Sequence, residues 1–332
     1  MEFLTEPAIP VAILQVLVGI ILLAKAADAF VDGAGSVAST MRISPVVIGA
    51  VLIGFGTSLP ELLVSALAAR DDNVDLGVGN IVGSNVANLT LVLGAAALLV
   101  PLFVTKAVLA REAPLSLLAV LAFGFMTIGG LARWEGIVLL IGLVVVLSWI
   151  TFGSREDLLE AVPDGPEGSL ARELVTTVLG LIGTVAGAQF LVWGAIAIAD
   201  AADISGGLVG FTLVAIGTSL PELVTAVAAA RRNETELILG NLLGSNVFNS
   251  LAVGGVIAVL ANREIEDEAL ATYGVGGMAV VALLAWGFMV TRRRLHRTEA
   301  VVLIAIWFAS VVLMAGEEED VAAAALALLG RG

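Results

Sequence analysis

The sequence contains no cysteine and a single histidine, His296, in 332 residues. Disulfides, thiolate metal sites and cysteine nucleophiles are therefore excluded. His296 lies in the basic run "TRRRLHR", which reads as a solvated loop. Acids and hydroxyls at membrane depth thus have no histidine or cysteine partner, which argues against an enzyme. No GxxxxGK[ST] phosphate loop is present, so the chain carries no ATP-driven motor of that kind. No basic nucleic-acid footprint is present either, and the net charge is −14. Charged residues make up only 14% of the chain, and just two of its 16 basic residues are lysines, Lys25 and Lys106.

Apolar residues are what the chain does contain. They make up 59% of the sequence, and the mean hydropathy is +1.05. A soluble domain of this size would need more polar cover. Runs long enough to cross a hydrocarbon core recur along the whole length, as in an all-α polytopic membrane protein. Ten transmembrane helices are expected at about 9–30, 45–69, 76–100, 108–128, 135–153, 172–199, 207–230, 237–260, 270–290 and 299–315. The opening "MEFLTEPAIP" has no basic n-region, so the first run is expected to be a retained span. The closing "VAAAALALL" is too short to cross and is expected at the interface or as an extension of the last helix. Acidic clusters such as "DDNVD" and "EEED" fit a high-salt habitat or a surface that gathers cations.

An internal repeat organises the chain. Gly56–Glu61 and Gly217–Glu222 both read "GTSLPE", an offset of 161 residues. At the same offset "GNIVGSNVANL" (Gly79–Leu89) meets "GNLLGSNVFNS" (Gly240–Ser250) without a gap. Each half holds five expected spans, and an odd number turns the second copy upside down. The expected architecture is two inverted five-helix repeats, residues 1–153 and 172–332, joined by a linker at 154–171 rich in Pro, Gly and charge. The linker is too short to house a regulatory domain.

The duplicated segments carry unusual chemistry for an apolar helix. Pro60 and Pro221 lack an amide hydrogen, so each frees the carbonyl four residues back, Gly56 or Gly217. Such carbonyls are tolerated at depth only where protein or a cavity satisfies them. Thr57, Ser58 and Glu61 stand at helical spacing, so their oxygens are expected on one face, as are those of Thr218, Ser219 and Glu222. Asn80, Ser84 and Asn88 form a stripe, repeated by Asn241, Ser245 and Asn249. Two glutamates among neutral oxygens suit a hard cation, Ca²⁺ above the transition metals. Intramembrane acids rarely lack a function. Lys25, Asp28 and Asp32 are expected to form a charge network, with Lys25 snorkelling at the boundary. The tryptophans are expected to be anchors or packing residues.

At these residues the sequence resembles the sodium/calcium exchanger branch of the cation/calcium exchangers, whose paired α-repeats carry the same double motif. The likeness covers the whole chain and implies a secondary antiporter exchanging Na⁺ for Ca²⁺ by alternating access, with no cofactor and no protein partner beyond the lipid bilayer. By that likeness Glu61 and Glu222, with Thr57 and Thr218, would ligate Ca²⁺. Ser58, Ser219, Ser84 and Ser245, with carbonyls near Gly54 and Ala215, would complete the Na⁺ sites, and Asn88 and Asn249 would line the centre. The likeness also implies that the first and sixth spans slide across the remaining bundle. Many members carry aspartate where this chain has Asn249, so the fixed charge here is −2 rather than −3. The driving ion is left open between three Na⁺, two H⁺ and a K⁺-assisted scheme. A Ca²⁺/H⁺ antiporter using the same glutamates is the nearest alternative, and a passive cation channel ranks below it.

Basic residues set the expected orientation. Four (Arg70, Arg133, Arg263 and Arg331) lie on the side of the termini. Eleven lie on the other side, among them Arg42, Arg111, Arg231, Arg232 and Arg292–Arg294. The richer side should be cytoplasmic, with both termini outside. Single cysteines in this cysteine-free chain test the orientation. Ser169→Cys should be shielded from an impermeant maleimide in sealed cells and Asn73→Cys should be labelled; the reverse pattern would invert the topology.

Overall fold

The computed structural model describes residues 9–41, 43, 45–70, 74–152, 169–201, 215–261, 263–267 and 270–315. Residues 154–168 of the expected 154–171 linker, the start of the span at 207–230 and the tail "VAAAALALL" lie outside them.

The described residues are helical almost throughout. In chain order the helices are α1 (Ile9–Met41), α2 (Pro45–Thr57), α3 (Leu59–Arg70), α4 (Val74–Leu99), α5 (Lys106–Met126), α6 (Arg133–Phe152), α7 (Leu170–Ala201), α8 (Ala215–Thr218), α9 (Leu220–Arg231), α10 (Thr235–Ala261), α11 (Leu270–Arg292) and α12 (Arg297–Ala315). Seven are long and apolar enough to cross a membrane, or eight when the bent pair α2/α3 counts as one span. The other two expected spans fall outside that count. One begins in residues not described, and the other is α12, with 19 residues. Trp134 and Trp149, near opposite ends of α6, are well exposed on its surface, as expected of interface anchors.

α4 and α10 form the centre. Of their most apolar stretches, 78% and 89% of residues are buried, against 29% for α1 and 28% for α7. Both central helices widen into a π-helical turn at matching places, Asn88–Val92 and Phe248–Val253. Such turns insert an extra residue into the helix and are frequent at functional sites.

The outer helices α1 and α7 pack on each other through glycines at backbone distance. Gly19 faces Leu191, Phe30 faces Gly180, Gly33 faces Thr177 and Val16 faces Gly194. Rising numbers in one helix meet falling numbers in the other, so the pair is antiparallel, as inverted halves require. Gly19 and Gly180, and likewise Gly33 and Gly194, are 161 residues apart. The contacts are therefore reciprocal, as about a two-fold axis. Without a Cβ the backbones approach closely, which is how membrane helices gain packing where lipid is as apolar as leucine.

Two polar ties join elements far apart in sequence. Leu102–Phe103 (β1) and Arg294–Leu295 (β2) form a short antiparallel pair, with the Arg294 guanidinium 4.5 Å from the Phe103 ring centroid. Beyond α9, where Asn233 adopts φ 58°, Arg232 reaches α1. Its Nε and Nη2 donate to the two Asp32 carboxylate oxygens at 2.6 and 3.0 Å, and its Nη1 donates to Asp28 at 2.9 Å. The charge network expected at Asp28 and Asp32 is thus completed by Arg232 and not by Lys25. Helical spacing within α1 could not reveal a partner 200 residues away.

A methyl group added at Gly180 would lie 2.5 Å from the Phe30 backbone nitrogen, whereas nothing lies within 4 Å of one at Gly287. Gly180→Ala should cost about 1–3 kcal/mol by overpacking and lower the unfolding temperature in detergent. Gly287→Ala should leave it unchanged or raise it, because helical glycine is intrinsically unfavourable. A thermal scan of the two variants checks the pair.

Candidate functional site

The two proline-bearing motifs break their helices in the same way. Ser58 and Ser219 stand at the breaks with nearly identical backbones, φ −88°, ψ 8° and φ −88°, ψ 3°. The first break bends α2 against α3 by 44°. Each proline then sits in the first turn of the restarted helix, where its missing N–H costs nothing. Glu61 and Glu222 consequently occupy the first turns of α3 and α9. There the helix macrodipole favours a carboxylate by up to about 2 kcal/mol in partly buried settings.

Both glutamates are completely buried. Desolvating two like charges costs several kcal/mol each, far more than two helix termini return. Neutral donors surround them. Ser58 Oγ donates to Glu222 Oε1 at 3.1 Å, and Ser84 Oγ donates to Glu61 Oε1 at 3.4 Å. The Thr218 hydroxyl also lies close to Glu61, and those of Thr57 and Ser245 close to Glu222. Ser219 Oγ donates to Ser84 Oγ at 3.3 Å, and Ser245 Oγ to the Gly54 carbonyl at 3.2 Å. The two measured hydroxyl–carboxylate contacts are longer than the roughly 2.5–2.7 Å of a strong O–H···O⁻ bond. Oε2 of each glutamate has no hydrogen-bond partner among the described residues.

The hydroxyls correct the expectation that each GTSLPE segment gathers its own oxygens on one face. Ser58 donates to Glu222 of the other half, with Thr57 beside it, and Thr218 lies close to Glu61. Pro60 and Pro221 are the cause, because a broken helix no longer keeps residues four apart on one stripe. The site is built across the halves.

Of the other expected residues, Asn88 and Asn249 are buried at the π-helical turns. Asn88 Nδ2 donates to Asn246 Oδ1 at 3.1 Å, while Asn88 Oδ1 and both amide atoms of Asn249 have no partner among the described residues. Gly54 lies at the cluster through its carbonyl. Ala215 opens α8, two residues before the GTSLPE motif of the second half. Asn80 and Asn241 accept from Thr218 and Thr57, both at 3.3 Å, and so orient these threonines. They belong to the stripes but were not among the expected ligands. Asn246, partner of Asn88, was also missed; it is the asparagine of "GSN" itself, so its repetition was the available signal. Asn85, the matching residue, donates to Ser250 Oγ at 3.0 Å.

The donor set is carboxylate, hydroxyl, amide and carbonyl oxygen. Among the described residues no group of three or more His, Cys, Asp or Glu is placed to hold a metal ion. A hard cation of low charge matches two carboxylates and many neutral oxygens, whereas a nitrogen- or sulfur-seeking metal does not.

The family model described as sodium/calcium exchanger protein matches residues 11–152 and again 173–316. The chain belongs to the sodium/calcium exchanger family. The sodium/calcium exchanger MaX1 of Methanosarcina acetivorans is 31% identical over 92% of this chain and 99% of its own length. The inner membrane protein YrbG of Escherichia coli is 37% identical over 81% and 87%. The solved structure of the sodium/calcium exchanger from Methanococcus jannaschii superposes with a TM-score of 0.82 at 33% identity, covering 92% of this chain and 99% of that one. The chain is thus a membrane-embedded ion exchanger of this family, and its relatives are transporters rather than enzymes.

Each buried carboxylate has one unpartnered oxygen among the described residues, so a divalent ion held between them would stabilise the fold. A ligand at a hundredfold excess over its Kd adds about 2.7 kcal/mol to folding stability. Ca²⁺ should therefore raise the unfolding temperature of the purified protein. Glu61→Gln and Glu222→Gln should fold, because each removes a buried charge, yet lose most of that rise. A full Ca²⁺-dependent rise in either variant would remove that residue from the ion site.

Proposed function

We propose that this exchanger is a secondary antiporter in which inward Na⁺ movement drives Ca²⁺ out, with Glu61 and Glu222 as the shared charged ligands. The observation that carries the reading is the pair of buried glutamates, each faced by hydroxyls of the opposite half. Thr57 and Thr218 complete the Ca²⁺ position. Ser58, Ser219, Ser84, Ser245 and the carbonyls at Gly54 and Ala215 supply neutral oxygens for Na⁺, and Asn88 and Asn249 line the centre. Residues 1–153 and 172–332 act as the two halves, with both termini outside and the 154–171 linker in the cytoplasm. Because ligands from both halves meet at one place, movement of one half-site against the other exposes the ions to alternate sides.

The charge count decides between cycles. Two carboxylates neutralise one Ca²⁺, while three Na⁺ leave one excess positive charge. A surplus charge at depth is costly, but hydroxyl and amide dipoles, including the unpartnered amide of Asn249, spread it. We assign a cycle of three Na⁺ for one Ca²⁺, which moves one net charge worth about 2.3 kcal/mol per 100 mV. The second reading, Ca²⁺/H⁺ exchange, is favoured by the same Asn249, since two protons neutralise the site fully. Proteoliposomes under imposed potentials separate the two. Inside-positive voltage should speed Ca²⁺ uptake driven by internal Na⁺. Indifference to voltage, with uptake sustained by a proton gradient alone, would establish the proton cycle instead.

A further inference from the structure

The fork of Arg232 on Asp28 and Asp32 has no part in binding the ions, yet it sits where relative movement of the halves would register. α1 and α7 lie at the periphery and are largely lipid-facing, and they hold each other through glycine contacts. α1 also packs on α9, which carries Glu222. Arg232 follows directly on α9, so its guanidinium joins the outer helix pair to the element that bears a site carboxylate. Its geometry is specific. Three N–H groups engage two carboxylates, while Nη1 also donates to the Ala228 carbonyl at 3.1 Å. Asp28 and Asp32 are four residues apart, about one helical turn or 6 Å along α1. Lys25 stands a further three residues back, placing a like charge next in line for any displacement that carries Arg232 past Asp28.

The fork is also unmatched. At the repeat offset of 161 residues, Arg232 corresponds to Asp71, Asp28 to Gln189 and Asp32 to Trp193. The ion site and the glycine contacts both obey the repeat, but the opposite face cannot form this ion pair. A tie made on one side only favours one of two otherwise related arrangements.

We propose that Arg232, Asp28 and Asp32 form a one-sided latch that fixes the register of the α1/α7 pair against the site-bearing bundle and biases the exchanger toward one access state. The inference rests on the alternating-access reading above. A salt bridge of partly exposed groups is weak singly, and the carboxylates here are 47% and 60% exposed. The bias is therefore modest, about three- to tenfold in population for the two pairs together. A latch of that size sets a preference without trapping the cycle.

The cysteine-free chain allows spin labels at Thr40→Cys on α1 and Thr291→Cys on α11, both exposed positions. Arg232→Gln should shift weight to a second distance population. Asp32→Asn should do so less, because Asp28 remains. Arg232→Asp combined with Asp28→Arg and Asp32→Arg should restore the parent distribution. In proteoliposomes, Arg232→Gln should move the half-saturating Ca²⁺ concentrations on the two faces in opposite directions, as a shifted two-state equilibrium requires. Unchanged distances in Arg232→Gln would overturn the latch, as would a loss of affinity of equal size on both faces. The distance measurement needs no transport, so a shifted distribution in a chain that fails to exchange ions would retain the latch and discard the antiport reading.

Discussion

Two carboxylates buried at the contact between two copies of one motif constrain the rest of the molecule. Neither Glu61 nor Glu222 can be held in an apolar interior by its own helix, and the fold meets that cost with several small contributions. Proline breaks place each acid in the first turn of a helix, and hydroxyls from the opposite half approach each of them. Asparagines on the central helices orient those threonines in turn. The hydroxyl contacts stay long, so the acids are restrained without being neutralised. In the proposed antiport cycle, a site that releases its cation on every turn needs that incomplete satisfaction. Complete internal pairing would compete with the ion.

The same relation explains why buried polar residues concentrate at the centre. α4 and α10 carry the Asn and Ser stripes and are the most buried helices, while α1 and α7 offer lipid an apolar surface and each other a smooth row of glycines. Rigidity is concentrated where ligands must be placed. The outer pair meets at backbone distance through those glycines, so displacement of one of the two helices carries the other with it.

Much of this could be read from the residues alone, for physical reasons. A twice-repeated GTSLPE at constant offset shows the duplication, the freed carbonyls and the two acids, because proline and buried charge have few alternative explanations. Ser84, Ser245, Asn88 and Asn249 followed from four-residue spacing on helices that do continue. The direction of Thr57 and Ser58 did not follow, since the spacing rule assumes an unbroken helix and Pro60 interrupts it. The roles of Asn80 and Asn241 were hidden for a related reason: their partners lie 138 and 184 residues away. The π-helical turns left no pattern that apolar periodicity could register. Arg232 stood in a loop among other basic residues, where only the folded chain distinguishes a bound guanidinium from a solvated one.

Reciprocal donation across the halves has a consequence for ancestry. A polypeptide carrying one half would hold a glutamate and its own-half serine but not the hydroxyls that approach from the opposite half, so alone it would present an under-satisfied acid. It would become a workable ion carrier only by pairing with a second copy inserted in the opposite direction, which requires a chain whose flanking charges do not fix its orientation. Once two such copies were fused, that neutrality was no longer required. Basic residues could then accumulate on one face, and contacts such as the Arg232 fork could arise in one copy without spoiling the other. The present molecule is symmetric in its buried polar cluster and asymmetric at the Arg232 fork, the pattern expected if fusion released its surface, but not its centre, from serving two orientations at once.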